Sequence, residues 1–287
     1  MHFRKLAYLV VLSFAVSCLS SHRYSRKVHR NIPSVKVILI DVVNGSIDVR
    51  KSVELNEIVV NAEIVGWGFS DEDAKRNAEK AKLTVMRLKG DTVYITVDFD
   101  RDTKVKADLS VAVPIGTEVV SAKCVNGTIK TVGHFDMIDL DLVNGSAKLD
   151  GGGGNLKVSV VNGSVLGTID SLLSGGISVI NGKVSIELVD VSNIGVTVSN
   201  AMTNKINLEG FDEISRSDEV VKGVIGSGIG SKLKVEVNNG QVYIKASKSG
   251  SYVDMPKEKL GRVDSNHHRQ IQNLVSCRLD DAPVKGA

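Results

Sequence analysis

The stretch Val161-Asn162-Gly163-Ser164-Val165 decides how this chain is read, because close copies of it recur. Val125-Asn126-Gly127-Thr128-Ile129, Val143-Asn144-Gly145-Ser146-Ala147 and Ile180-Asn181-Gly182-Lys183-Val184 set asparagines at 126, 144, 162 and 181, in steps of 18, 18 and 19 residues. A degenerate copy, Ser199-Asn200-Ala201, stands another 19 residues on, and Asn238-Asn239-Gly240-Gln241-Val242 follows about two steps later. An outlying copy, Val43-Asn44-Gly45-Ser46-Ile47, has no neighbour at one period. A fixed period of this size marks a repeat architecture.

Each copy is entered by an alternating run, as in Leu140-Asp141-Leu142-Val143 and Val158-Ser159-Val160-Val161, and left by another, as in Val184-Ser185-Ile186. Apolar and polar residues that alternate with period 2 predict half-buried strands. Asn-Gly supplies the positive φ angles of a tight turn. The class is therefore all-β, and two architectures fit. In a right-handed β-solenoid each repeat of 18–19 residues is one coil, and equivalent residues stack at about 4.8 Å. Asn126, Asn144, Asn162 and Asn181 would then form a structural ladder of amides, each bonded to the coil above and below and costly to unpair if buried. In an antiparallel meander or sandwich each Asn-Gly would instead be a hairpin turn. The solenoid better explains why one turn is always Asn-Gly while the other varies from Asp150-Gly151-Gly152-Gly153-Gly154-Asn155 to Asp170-Ser171-Leu172-Leu173-Ser174-Gly175-Gly176.

The repeated Val-Asn-Gly-Ser-Ile phrase, preceded by Val111-Ala112-Val113-Pro114-Ile115-Gly116-Thr117, resembles the bacterial envelope family of putative adhesins with β-strand repeats, a domain of unknown function. The resemblance covers roughly residues 35 to 250 and implies a cell-envelope repeat protein. It brings no catalytic residue.

Residues 1–18 read as a secretory signal: Arg4 and Lys5, an apolar run from Leu6 to Val16, then Ser17-Cys18. The run is too short to span a bilayer. Its end looks like a lipobox, with Ala15 where leucine is usual, so Cys18 is the expected lipidation site. An ordinary signal peptide cleaved nearby is the alternative. Residues 19–33 carry His22, Arg23, Arg26, Lys27, His29 and Arg30 and no acid, and read as a solvated basic linker. A tether beside anionic headgroups would use the same charges.

Residues 34–118 are expected to hold strands, among them Thr92–Asp98 and Val105–Val113, and one helix over 70–89. Ser70 is its N-cap, Asp71, Glu72 and Asp73 suit its positive end, and Ala74, Ala78, Ala81, Val85 and Leu88 form its stripe. The helix is expected to cap the first coil and shield its open edge. The repeats occupy 119–250. Residues 251–287 lack any apolar period, resemble translated tRNA-gene sequence between Arg262 and Asp281, and are expected to be disordered.

Catalytic, cofactor and metal sites are not expected. Three cysteines, Cys18, Cys124 and Cys277, make no disulfide framework, and no close-spaced zinc ligands occur. Cys124 reads as a buried thiol. Gly226-Ser227-Gly228-Ile229-Gly230-Ser231-Lys232 lacks the Walker spacing and is followed by a strand pattern, so it reads as a loop. Asp150 and its glycines lack the aspartate of a calcium repeat, because Leu156 stands there. Asp139 and Asp141 share a strand face near Asp136, a pattern that solvated charges explain without an acid–base pair. Aromatics are 4 % of the chain, which argues against sugar and nucleic-acid platforms, and the single tryptophan, Trp67, is expected to pack at the helix junction. The net charge of +3 is too mild for nucleic acid.

The expected protein is a non-enzymatic, exported, lipid-anchored envelope module. It would meet the membrane through its anchor and an unidentified protein or cell surface through its repeats, with no small-molecule substrate. A periplasmic sensory or regulatory module is the alternative, and a carbohydrate-active β-helix enzyme a distant third.

Overall fold

The computed structural model describes residues 22–100, 103–200 and 205–247. Cys18, the signal segment and the tail 251–287 lie outside the described residues. The rest is nearly all β: fifteen strands in one large mixed sheet that does not close, and one helix.

Six long strands carry the repeated phrase. They are β2 (Val37–Ser52), β7 (Val119–Val132), β8 (Phe135–Asp150), β9 (Gly153–Ile169), β10 (Leu172–Val189) and β15 (Ser231–Ser247). They lie side by side in that order and every pair is parallel. The register is one repeat, with Asn126 opposite Asn144 and Asn144 opposite Asn162. An antiparallel meander is thereby excluded for the repeats. The Asn-Gly is also not a hairpin turn, because each strand continues through it.

What the phrase does instead is change the phase of burial. Before it, Ile138, Leu140 and Leu142 are buried; after it, Ala147 and Leu149 are. The interval from Leu142 to Ala147 is odd, so the inward face passes from even to odd positions across Val143-Asn144-Gly145-Ser146. β9 shifts likewise from Leu156, Val158 and Val160 to Val165 and Ile169. Each strand thus has two arms that feed one aliphatic core, with a corner between them.

The rungs at either end of this series are split. β5 (Thr92–Asp98) pairs with the first arm of β2, and β6 (Val105–Pro114) with its second arm. At the other end β11 (Ile194–Asn200) and β12 (Ile206–Glu209) do the same for β15. The copy at Asn239 therefore stacks directly on β10, ahead of the degenerate copy, and Asn200 falls opposite Val237, out of the asparagine register.

Antiparallel strands finish both ends. β6 pairs with β3 (Glu57–Gly68), β3 with β1 (His22–Pro33), and β5 with β4 (Lys82–Leu88). β11 pairs with β14 (Val220–Ile225), and β14 with β13 (Glu213–Arg216). The expected basic linker is thus the edge strand β1. Its outward residues Arg23, Lys27 and His29 are exposed, whereas Val28 and Ile32 pack on the core. Basic side chains on an edge discourage pairing with another chain.

The helix α1 (Asp71–Lys80) is half the expected length. Ser70 caps it as expected, accepting from the Asp73 amide at 3.1 Å. It ends at Ala81, which is extended, because Leu83, Thr84 and Val85 pair with β5 instead of extending the helix. Arg26 of β1 donates to the carbonyls of Ala78, at 2.8 Å, and Ala81, satisfying the helix C-terminus. The helix lies on the inward side of β3, so close that a Cβ on Gly66 would meet the Ala74 carbonyl oxygen at 2.3 Å, and it buries Ala74 and Ala78 at the end of the core.

Candidate functional site

The corner is the feature that repeats on the surface. Asn126 Nδ2 donates to Asn44 Oδ1 at 2.8 Å, Asn144 to Asn126 at 2.9 Å, Asn162 to Asn144 at 3.0 Å and Asn181 to Asn162 at 2.9 Å. Asn239 stands opposite Asn181 in the same register. Two expectations need correction. Asn44 is not isolated, because β2 lies beside β7 and makes it the first rung across 82 residues of chain. Nor is the ladder buried: Asn126, Asn144, Asn162 and Asn181 are exposed.

Glycine is the stricter requirement at this corner. Gly163 has φ +152°, and a Cβ there would stand 1.7 Å from the carbonyl oxygen of Gly145 on the previous rung. Only glycine lets consecutive rungs approach this closely. That contact explains why the corner phrase is constant while the opposite connection varies.

Beside the amides runs an apolar column. Val43, Val125, Val143, Val161 and Ile180 are 36–45 % exposed and successive in register. On the other side stand Ser46, Thr128, Ser146 and Ser164, with the last two hydroxyls 2.9 Å apart. The column has the form of a ridge, apolar on one flank and rich in amides and hydroxyls on the other.

The other candidate residues fall elsewhere. Cys124 is buried, its Sγ 3.6 Å from the Gly45 carbonyl oxygen, and burial pushes the thiol up to about 11, which leaves it unreactive near neutrality. Asp139 faces Lys157 at 3.4 Å and Asp141 faces Lys123 at 4.0 Å, each pair across adjacent rungs. Asp136 is exposed. These are interstrand charge pairs on the outer face. Gly226–Gly230 is the turn between β14 and β15, and Asp212 accepts from the Gly226 amide at 3.0 Å. Among the described residues no group of three His, Cys, Asp or Glu side chains could hold a metal ion. A small apolar void of about 10 Å³ beside Gly151–Gly153 has room for one water at most.

Trp67 departs from expectation. Its backbone is at the helix junction, where the carbonyl accepts from Asn77 Nδ2 at 2.6 Å. Its indole is half-buried and lines an open groove of about 500 Å³ with Asn44, Asn126, Thr103, Lys104 and Lys106. The flanking glycines of Gly66-Trp67-Gly68, which admit the helix on one side, are the only sequence sign of an unusual position.

No family model matches the chain, and no curated protein matches it. Solved structures do. A putative cell adhesion protein from Clostridium sporogenes is 11 % identical, with TM-score 0.38 over 78 % of this chain and 100 % of that one. A putative adhesin from Bacteroides fragilis is 13 % identical, with TM-score 0.33 over 77 % and 97 %. A putative lipid binding protein from Parabacteroides distasonis is 8 % identical, with TM-score 0.23 over 79 % and 97 %. Likeness at these values assigns neither ligand nor activity. No helix among the described residues is long and apolar enough to cross a membrane.

Proposed function

We propose that the chain is a non-enzymatic module of the bacterial cell envelope, coiled as a right-handed β-solenoid and binding a protein or surface through its corner ridge. Chain length supports the coil. β8 has 16 residues and would span about 50 Å if straight. Yet only Gly151 and Gly152 separate it from β9, and Phe135 at its start is in register with Gly153 at the start of the next. Two residues cannot return the chain over that distance, so the strand must turn on itself within each repeat. The right-handed sense follows the rule for parallel crossovers.

The ridge carries the binding reading. Contiguous exposed apolar side chains are uncommon on soluble monomers and mark interaction sites. Val143, Val161 and Ile180 are held outward by a corner whose geometry the glycines fix, so they are unavailable to the core. A lipid on Cys18 would anchor the module. β1 begins four residues later, and Arg23 and Lys27 on its outward face would each add about 1 kcal/mol beside anionic headgroups.

The test is adhesion of the purified, labelled protein to envelopes of the producing cell. Val143→Ser with Val161→Ser should reduce binding at least about tenfold with only a small fall in melting temperature, because both side chains are already 36–41 % exposed and no like charges are set on adjacent rungs. Unchanged adhesion removes the ridge from the function. Detergent phase partitioning of wild type against Cys18→Ala tests the anchor separately, and retention of both in the aqueous phase would rule it out.

A further inference from the structure

We propose that the groove at the Asn44 end of the ladder binds an acidic saccharide, with a carboxylated pyranose ring lying on Trp67. The groove is separate from the apolar ridge of β8–β10, so either can fail without the other.

Ladder polarity supplies the first argument. Every rung donates Nδ2 to the Oδ1 of the rung before it. The amide dipoles therefore add, and bonds in such a chain polarise one another. Asn44 is the first rung: its oxygen is used by Asn126, and its NH₂ faces a strand that has no asparagine to accept it. In the β2–β6 register, where Gly45 meets Ala107, Lys106 holds the next position. The ladder thus ends in donors, beside a lysine.

The split rung supplies the second. Between β5 and β6 there is no Asn-Gly corner, and the groove lies where that corner would have stood. Two exposed lysines rim it. Lys106 shares its charge with Asp108 at 2.7 Å. Lys104 has no acid within ion-pair distance among the described residues, and lies over the Phe69 ring at 5.1 Å from its centroid. Two lysines and the end of the amide ladder border one opening whose lining includes no acidic side chain, which suits an anionic ligand. The opening holds about 500 Å³ and is broadly open to solvent, so a ligand would lie on it rather than be enclosed.

Trp67 supplies the third. An indole face carries negative quadrupole density and attracts the polarised C–H groups of a flat sugar face. Beside it, the second amide protons of Asn44 and Asn126 suit ring hydroxyls. A bare anion would leave the indole unused, and a neutral sugar would leave the lysines unused. A carboxylated pyranose uses both.

Trp67 is the only tryptophan in the chain, so its fluorescence reports this groove alone. The full chain titrated with trigalacturonate should show a saturable change in emission with Kd below about 1 mM. Maltotriose and inorganic phosphate should give none. Lys104→Gln with Lys106→Gln, both solvent-exposed, should weaken the trigalacturonate response at least about tenfold at unchanged melting temperature, and Val143→Ser should leave it intact. Absence of a saturable response overturns the proposal. So does an equal response to phosphate, which would mean an anion site only, or to maltotriose, which would mean that the lysines play no part.

Discussion

The six bent rungs and the two split rungs solve one problem in opposite ways. In β2, β7, β8, β9, β10 and β15 a single strand turns the corner through Asn-Gly, so amide follows amide and glycine follows glycine. In the rungs made of β5 with β6 and β11 with β12 two separate strands take the place of one, and the column stops. The bent rungs make the stack and its regular face. The split rungs end it, turn the sheet to antiparallel pairing, and at one end leave a groove. Regularity supplies the scaffold, and the specific chemistry collects where it breaks.

The largest expected effect lies at the glycines. Gly163→Ala brings a Cβ within 1.7 Å of a backbone oxygen at a φ that alanine rarely adopts, so urea melts should show a loss above about 3 kcal/mol. Gly90→Ala is the counterpart outside the stack. Its φ is also positive, at +76°, but nothing lies within 4 Å, and the loss should be roughly 1–2 kcal/mol. Equal losses would mean that glycine serves only the backbone angle and that the rungs are not in close contact.

Next comes the ladder. Asn162 makes two interrung bonds and Asn44 one, all exposed, so Asn162→Ala should lose roughly 1 kcal/mol and Asn44→Ala about half that. These values are smaller than a buried ladder would give, and a loss near 3 kcal/mol at Asn162 would mean that water does not reach the amides.

The last effect is confined to alkaline pH and is absent near neutrality. Cys124 is neutral in the fold, and burial raises its pKa from 9.0 to about 11. A raised acid contributes stability that is complete below pH 9 and is lost as pH rises toward 11. Cys124→Ala should flatten the stability profile in that window relative to wild type. Parallel profiles would show that the thiol is not protected.

Much of this was legible in the chain. The 18-residue period, the alternation and the Ser70 cap are local and appear as read. What failed was non-local. Asn-Gly signals positive φ in a hairpin and in a strand corner alike, and only the partner strand distinguishes them. Lys82 to Leu88 offers both a helical stripe and a strand alternation, and pairing with β5 decides between them. His22 to Pro33 reads as linker because its outward face is charged, while Val28 and Ile32 leave only a faint apolar face inward. Asn44 joins the ladder through a contact across 82 residues, and β15 displaces β11 beside β10, neither of which a period can reveal. Trp67 stands at the expected junction, but nothing local in the sequence points its indole toward the groove.

The central claim is that each repeat is one coil stacked on the last. Ser146 and Ser164 lie on adjacent rungs with hydroxyls 2.9 Å apart. With the three native cysteines replaced, Ser146→Cys with Ser164→Cys should oxidise to an intramolecular disulfide, because one rung is about 4.8 Å and within bonding reach. Ser146→Cys with Lys183→Cys spans two rungs, roughly 10 Å, and should remain reduced. In an antiparallel meander the first pair would itself be two strands apart. Failure of the 146–164 pair to oxidise, or equal oxidation of both pairs, would contradict the stacked coil.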